Sequence, residues 1–147
     1  MAKHYSFQPV RSEPRPIQKP HPPIWVGGHE PPALRRAARY GDGWHAYRLN
    51  PDEVSEKAAY VKVKAAEYGR DPASIAISVR APLIISDKSL SIDRAFSGTA
   101  DDLKRQVSDY ARLGVECIVF EPPLLEGIDI AIKACDRFAK EVAPAFI

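Results

Sequence analysis

The sequence has little of several features that define large classes of proteins. It contains only two cysteines, Cys117 and Cys135, and we expect both to be small core residues rather than a disulfide or a redox pair. No apolar run approaches the roughly 20 residues that span a bilayer. The first residues lack the apolar segment of a secretory signal. We therefore expect a cytoplasmic protein with no membrane contact.

Neither sign of charge predominates in the sequence. Lys and Arg number 21 against 19 Asp and Glu, so the net charge is +2, and both signs are mixed along the chain. This balance is too mild to indicate a nucleic-acid partner. The histidines at positions 4, 21, 29 and 45 lack the spacing of metal ligands, so we expect no metal site. What remains is the composition of a globular domain, with 45% hydrophobic residues.

Prolines concentrate at the start of the chain, where six of the fourteen fall within residues 1–23. Proline lacks a backbone donor and pushes the preceding residue toward an extended conformation. We expect residues 1–23 to be an extended proline-rich arm, and residues 24–147 to be the folded domain.

The rest of the chain alternates between apolar runs and amphipathic stripes. The runs at 24–26, 44–47, 75–85 and 117–120 predict strands, and the segments 31–40, 51–68, 100–113 and 128–142 predict helices. Asn50 and Thr99 are predicted helix caps. The stripe expected to face the core in the last helix consists of Ile128, Ile132, Cys135, Ala139 and Val142.

Four strand–helix units with short connections predict an α/β fold of parallel strands joined by right-handed crossovers. The pattern fits either an open doubly wound sheet or half of a (β/α)8 barrel. A complete barrel needs about 250 residues, so this chain is too short to be one.

Two pairs of segments carry a family resemblance. Residues 15–29 (RPIQKPHPPIWVGGH) and 33–45 (ALRRAARYGDGWH) closely resemble the luciferase-like monooxygenases, and most of all the branch that depends on the deazaflavin coenzyme F420. Residues 96–103 (FSGTADDL) and 114–120 (GVECIVF) resemble the same family's penultimate helix and final barrel strand.

The resemblance implies a fold and a chemistry. Family members are single (β/α)8 TIM barrels that bind flavin or deazaflavin at the carboxyl ends of the strands, and this chain matches strands five to eight. We therefore expect half of a TIM barrel made of four parallel βα units. The resemblance implies an oxidoreductase or monooxygenase that uses coenzyme F420 or FMN on a small organic substrate.

The cofactor phosphate is expected at the turn after the first strand. Glycines let backbone N–H groups approach an anion, and the start of a helix adds partial positive charge. By resemblance, the phosphate site consists of Gly27, Gly28 and His29. His29 could instead cap the helix, and the neighbouring Glu30 would repel an anion.

Four further residues are candidates for the substrate face. Trp44 and His45 end the second strand, although Trp44 also fits a core position and His45 a solvated one. Strand parity places Arg80 toward the barrel interior, where a charge needs a partner, and Glu121 is the candidate partner. Arg80 could equally reach solvent at the strand end. No catalytic residue is predicted.

Half a barrel leaves two strand edges and one sheet face uncovered, and parallel sheets are normally covered on both faces. We expect a homodimer that completes the barrel, or a separately encoded N-terminal half. The proline-rich arm, or a packed dimer, could also cover an open sheet. The alternative function is a catalytically inert module that keeps the fold for oligomerisation or ligand binding. A truncated gene product is the third possibility.

Overall fold

The computed structural model describes residues 8–11 and 13–147, so the predicted arm lies partly outside the described residues. The chain runs β1 (Trp25–Gly27), α1 (Pro31–Tyr40), β2 (Gly43–Tyr47), α2 (Pro51–Glu67), β3 (Ala76–Ile85), β4 (Phe96–Gly98), α3 (Ala100–Arg112), β5 (Cys117–Glu121) and α4 (Ile128–Glu141). Before β1, the described residues form no helix or strand and are exposed to solvent. No helix in the described chain is long and apolar enough to cross a membrane.

The sheet is parallel throughout, as the alternating pattern predicts. β1 pairs with β2, β2 with the first half of β3, and β5 with the middle of β3. β4 pairs with the last residues of β3. Among the described residues, β1 and β5 each have one strand partner. Their outer edges are therefore open, as expected for a sheet that is part of something larger.

β4 is a fifth strand that the sequence pattern did not predict. The segment before α3 reads as a polar loop, and its Ser97–Gly98–Thr99 end reads as a helix cap. Thr99 is indeed the cap of α3, but Phe96–Gly98 also adds three residues to the sheet. The prediction missed β4 because three residues are too few to show alternation.

The two faces of the sheet differ in what covers them. On one face, Ala46 of β2 and Val79 of β3 are fully buried with residues of the helices in a single core. The side chains of opposite parity point away from this core. Trp25 and Val119, from the two outer strands, are 46% and 40% exposed on that second face. An uncovered apolar face is unusual for a parallel sheet.

The last helix turns a different side toward the core than its sequence predicts. Ala131, Ala134 and Val142 are buried, whereas Ile128 and Ile132 are 69% and 56% exposed. Of the predicted stripe, Val142 is buried as expected, but the stripe is wrong along the helix itself, where Ala131 and Ala134 face the core instead. The expectation of core positions for both cysteines is also wrong, since Cys117 and Cys135 are exposed and free. Cys117 lies on the uncovered face of β5, and Cys135 lies on the exposed side of α4.

Both predicted caps are confirmed as capping boxes. The Asn50 side chain accepts from the Glu53 N–H, and the Glu53 carboxylate accepts from the Asn50 N–H. Thr99 and Asp102 make the same exchange at α3. Each box satisfies two backbone donors that a helix start leaves unpaired.

The Asp102 carboxylate makes the α3 box pH-dependent. Hydrogen bonds from the backbone and then the side chain of Thr99 lower the pKa of Asp102 to about 2. Because the folded pKa lies below the unfolded value of about 3.9, the stabilisation is complete above pH 4 and is lost as the pH falls toward 2. We expect Asp102→Asn to lower the melting temperature at pH 7, with the difference shrinking as the pH falls through about 2 and vanishing only below it. Asp101→Asn, in the same helical turn but 88% exposed, should change it little at either pH.

Candidate functional site

The strands of a parallel sheet all end at the same edge. Most of the candidate polar residues lie at that edge. The turn Gly27–His29 begins at the last residue of β1, Arg48 directly follows β2, and Glu121 ends β5. Arg80 lies in the middle of β3, opposite Tyr47 and Val119 in the strand register. In parallel α/β folds, ligands bind at this carboxyl edge.

The turn after β1 is open where an anion could approach its backbone. A Cβ built on Gly27 meets no atom within 4 Å. Gly28 has φ +96°, a conformation that favours glycine, and a Cβ there would lie 3.0 Å from the Ala33 Cβ. Space is therefore open beside Gly27. The backbone conformation at residue 28 is one that glycine adopts easily and other residue types do not.

The start of α1 limits which groups could bind an anion there. Pro31 and Pro32 occupy the first helical positions and have no N–H. The N–H groups of Ala33 and Leu34 both donate to the Glu30 carbonyl. The donors closest to the helix start are therefore the backbone N–H groups of residues 28–30, supplemented by the helix dipole.

His29 adds an imidazole to this turn. Its Nδ1 atom is buried and has no hydrogen-bond partner among the residues that the structure describes. A buried polar atom without a partner is costly, so the imidazole would gain by turning this nitrogen toward a ligand. An open glycine backbone and an unsatisfied imidazole nitrogen together fit the phosphate of a flavin or deazaflavin.

Trp44 lies on the core side of β2 and not on the face that carries His45. It is fully buried, and its indole Nε1 donates to the Gly28 carbonyl at 2.8 Å. The sequence allowed Trp44 either a core position or a position on the substrate face. The structure places it in the core, so Trp44 is not part of the substrate face. Its role is to hold the glycine turn in place from behind.

Trp44→Phe should therefore affect the turn as well as the core. Phenylalanine keeps an aromatic ring but cannot donate to Gly28, and it leaves unfilled space. We expect a loss of roughly 1–3 kcal/mol in the free energy of unfolding, measured by urea denaturation. Trp25→Phe is the control because Trp25 is half exposed, and its effect should stay below about 1 kcal/mol. Equal losses would contradict a specific role for the Trp44 hydrogen bond.

Arg80 does pair with Glu121, as parity suggested. The Arg80 Nη2 atom lies 2.6 Å from one Glu121 oxygen, and the Arg48 Nη2 atom lies 3.1 Å from the other. The Glu121 side chain is 17% exposed, whereas both guanidiniums are about half exposed. One carboxylate therefore anchors two cations, and about half of each arginine side chain stays exposed.

Neither Arg48 nor Tyr47 was among the residues predicted for the site. Both guanidiniums lie over the Tyr47 ring, with centroid distances of 5.2 Å for Arg48 and 5.6 Å for Arg80. Arg48 has φ +48°, which is uncommon for a residue with a side chain, and its N–H donates to the Arg80 carbonyl. Strained backbone at a strand end is a recurring feature of functional sites.

His45 lies on the uncovered face beside this cluster. Its Nδ1 is 2.6 Å from the hydroxyl oxygen of the buried Ser78. Burial, and then the positive charge of Arg80, lowers the pKa of His45 below 6.5. The imidazole is therefore neutral at pH 7, and can accept or donate a hydrogen bond without adding charge to the site.

Two adjoining cavities lie at the charged cluster, and one of them reaches His29. The larger, of about 690 Å³, is lined by His45, Arg80 and Glu121 together with apolar residues of the segment after β5. The smaller, of about 430 Å³, is lined by His29 and Tyr47. Both include Arg48, so His29 and the charged cluster border one continuous region, although neither cavity is lined by Gly27 or Gly28. Within residues 8–11 and 13–147, no group of three or more His, Cys, Asp or Glu is placed to hold a metal ion.

Solved structures with this fold are similar over almost all of the chain. A monooxygenase from Streptomyces bottropensis has a TM-score of 0.78 at 18% identity, and covers 100% of this chain and 55% of its own. The coenzyme F420 dependent tetrahydromethanopterin reductase from Methanopyrus kandleri has a TM-score of 0.70 at 16% identity, over 85% and 51%. EDTA monooxygenase from a Chelativorans species has a TM-score of 0.71 at 14% identity, over 99% and 48%.

The chain spans about half the length of these structures. With its parallel sheet and four helices, this confirms the predicted fold class, which is a partial TIM barrel. Sequence also assigns the family, because the model of the luciferase-like monooxygenases matches residues 1–111. The resemblance noted for residues 114–120 falls beyond that match. The chain belongs to the luciferase-like monooxygenase family.

Proposed function

We propose that this chain is the C-terminal half of a flavin- or deazaflavin-dependent oxidoreductase or monooxygenase that acts on a small organic molecule. Family membership supports the reaction class, and the chain order of the matching motifs supports the assignment to strands five to eight. The observation that carries the proposal is the open glycine turn after β1, which adjoins the charged cluster of β2, β3 and β5.

In this proposal, Gly27, Gly28 and His29 hold the cofactor phosphate. The Gly27 backbone has space for a close approach, and Trp44 fixes the turn from the core side. His29 supplies an unsatisfied nitrogen. Coenzyme F420 or FMN, when bound, supplies the redox chemistry, while the protein binds and orients it.

The substrate face consists of His45, Arg80 and Glu121, to which the structure adds Arg48. The two guanidiniums can bind polar groups of a substrate, while Glu121 keeps them in position. His45 can exchange a hydrogen bond as a neutral group, and Ser78 fixes its ring. Apolar side chains of the larger cavity cover the rest of a small organic molecule.

The proposal also requires that the barrel be completed. The second face of the sheet is uncovered and two strand edges are open, so half of the surroundings of a bound cofactor must come from elsewhere. A second copy of the chain in a homodimer, or a chain carrying strands one to four, would supply it.

Cofactor titration tests the function directly. FMN and coenzyme F420 are added separately to the assembled protein while cofactor fluorescence and absorbance are followed, with riboflavin as the phosphate-free control. We expect saturable binding of one phosphorylated cofactor and much weaker binding of riboflavin. Turnover of the bound cofactor with a reductant or oxidant would support the enzyme, and binding without any turnover would favour the inert module. Absence of binding by the assembled protein would overturn the proposal.

A further inference from the structure

We infer that Arg94 and Glu53 are positioning residues that together hold one wall of the cofactor site. The wall is the segment 92–95, at the end of the loop between β3 and β4. This inference rests on the proposed function, because it concerns the cavity that His29 lines. It gives Glu53 a second role besides capping α2, and it gives Arg94 a role in the site.

The segment 92–95 lines two cavities. The first is the cavity of about 430 Å³ that His29 and Arg48 also line. The second, of about 200 Å³, is bordered by Asn50 at the start of α2 and by Tyr110 of α3. Most of the segment is exposed, so packing contributes little to its position. Polar contacts must therefore hold it in place.

Arg94 ties this segment to the start of α2. Its Nε and Nη2 atoms donate to the two carboxylate oxygens of Glu53, at 3.1 and 2.5 Å. The other contacts are local, since the Ile92 N–H donates to the Ser97 hydroxyl and the Ala95 N–H donates to the Ile92 carbonyl. Arg94 has φ +57°, which is uncommon for a residue with a side chain. The contact with Glu53 therefore helps to maintain a turn that the backbone alone disfavours.

Glu53 is a fixed anchor because it also caps α2. Its carboxylate accepts from the Asn50 N–H at 2.9 Å, and its side chain is 27% exposed. The Asn50 N–H, and then Arg94, lower the pKa of Glu53 against the opposing effect of burial, so the carboxylate is ionised at pH 7. Exposed ion pairs usually contribute little, because two mobile side chains must be ordered. Here the helix cap has already ordered one of them, and the pairing is bidentate.

This ion pair connects two sides of the site. Helix α2 begins just after Arg48, and Arg48 and the segment 92–95 line the same cavity as His29. The contact between Arg94 and Glu53 therefore fixes the loop after β3 relative to the chain after β2. Without it, the segment can move into the space of the smaller cavity, and the cavity of His29 widens. A cofactor held there would lose contacts and dissociate faster.

Hydrogen exchange and cofactor binding, measured on the same variants, test this role. Arg94→Gln removes the cation, and Glu53→Gln removes the anion while keeping a side chain that can cap α2. In each variant, we expect the amides of residues 92–95 to exchange roughly 10-fold faster. The dissociation constant of the cofactor that the wild type binds, FMN or coenzyme F420, should rise roughly 10-fold through faster dissociation. Arg94→Lys keeps the charge without the bidentate geometry and should restore part of the affinity.

Arg105→Gln is the matched control. Arg105 pairs with Asp102, the capping carboxylate of α3, just as Arg94 pairs with Glu53. Arg105 lines neither cavity, and its partner lies on its own helix. Exchange of residues 92–95 and the cofactor affinity should therefore stay within about 2-fold of the wild type.

The double variant Arg94→Gln, Glu53→Gln tests whether the two residues act through one contact. It should bind the cofactor about as weakly as either single variant, because the second substitution removes nothing that the first has left. Losses that add in the double variant would overturn the inference.

Two further outcomes would also overturn it, and a third concerns only the proposed function. Unchanged exchange of residues 92–95 in Arg94→Gln would show that the ion pair does not hold the segment. Faster exchange with unchanged cofactor affinity would show that the segment does not shape the site. A wild type that binds neither cofactor would overturn the proposed function, and faster exchange in Arg94→Gln would then still show that the pair holds this wall.

Discussion

Gly27→Val should weaken binding of the phosphorylated cofactor roughly 100-fold, a loss of about 2.7 kcal/mol. The reason is that a side chain at residue 27 points into the space that the turn leaves open. A Cβ there meets no protein atom within 4 Å, so the substitution fills only the region that a phosphate would occupy. The dissociation constant is measured by the same fluorescence titration as for the wild type.

Two controls make this prediction specific. Riboflavin has no phosphate, so its weaker affinity should be the same for the wild type and Gly27→Val. The free energy of unfolding should change by no more than about 0.5 kcal/mol, because Gly27 is exposed in the structure and valine is favoured in strands. An equal loss for both ligands would show that the substitution disturbs the fold and not the phosphate site.

Phe96→Ala should destabilise the protein by about 3–5 kcal/mol. Phe96 is 1% exposed, and its ring centroid lies 5.1 Å from that of Tyr110 and 5.0 Å from that of Phe120. Phe120 contacts Phe138 in turn, at 4.3 Å. This row of aromatic rings joins β4, α3, β5 and α4, so removal of the Phe96 ring leaves a cavity where four elements meet.

Chemical denaturation measures the effect of Phe96→Ala, with Phe146→Ala as the control. Phe146 is 45% exposed near the end of the chain, and its loss should cost less than about 1 kcal/mol. A small effect of Phe96→Ala would mean that β4 is not a structural part of the sheet.

The sequence predicted the parts of this fold in which local signals agree with tertiary packing. In α2, the cap at Asn50 and the stripe of Val54, Ala58 and Val61 follow directly from residue spacing, and all three stripe residues are buried. The ion pair between Arg80 and Glu121 followed from strand parity and from the cost of an unpaired charge. These inferences need only one helix or two strands at a time.

The parts that were missed depend on neighbours that are distant in the sequence. The outward turn of Ile128 and Ile132 depends on which side of α4 packs on the sheet, and the periodicity of α4 does not reveal that side. The position of the Arg48 side chain depends on the positive φ of residue 48 and on a hydrogen bond to Glu121, 73 residues away in the sequence. The one local signal for Arg48 was its place directly after a predicted strand, and that signal says nothing of Glu121.

The central claim is that the turn after β1 binds the phosphate of a flavin or deazaflavin within an assembled barrel. Nuclear magnetic resonance of the ¹⁵N-labelled protein tests it residue by residue. Titration with FMN or coenzyme F420 should shift the amide signals of Gly27, Gly28 and His29 strongly, and riboflavin should move them far less. Amide shifts restricted to other parts of the molecule, or no shifts with either cofactor, would contradict the claim.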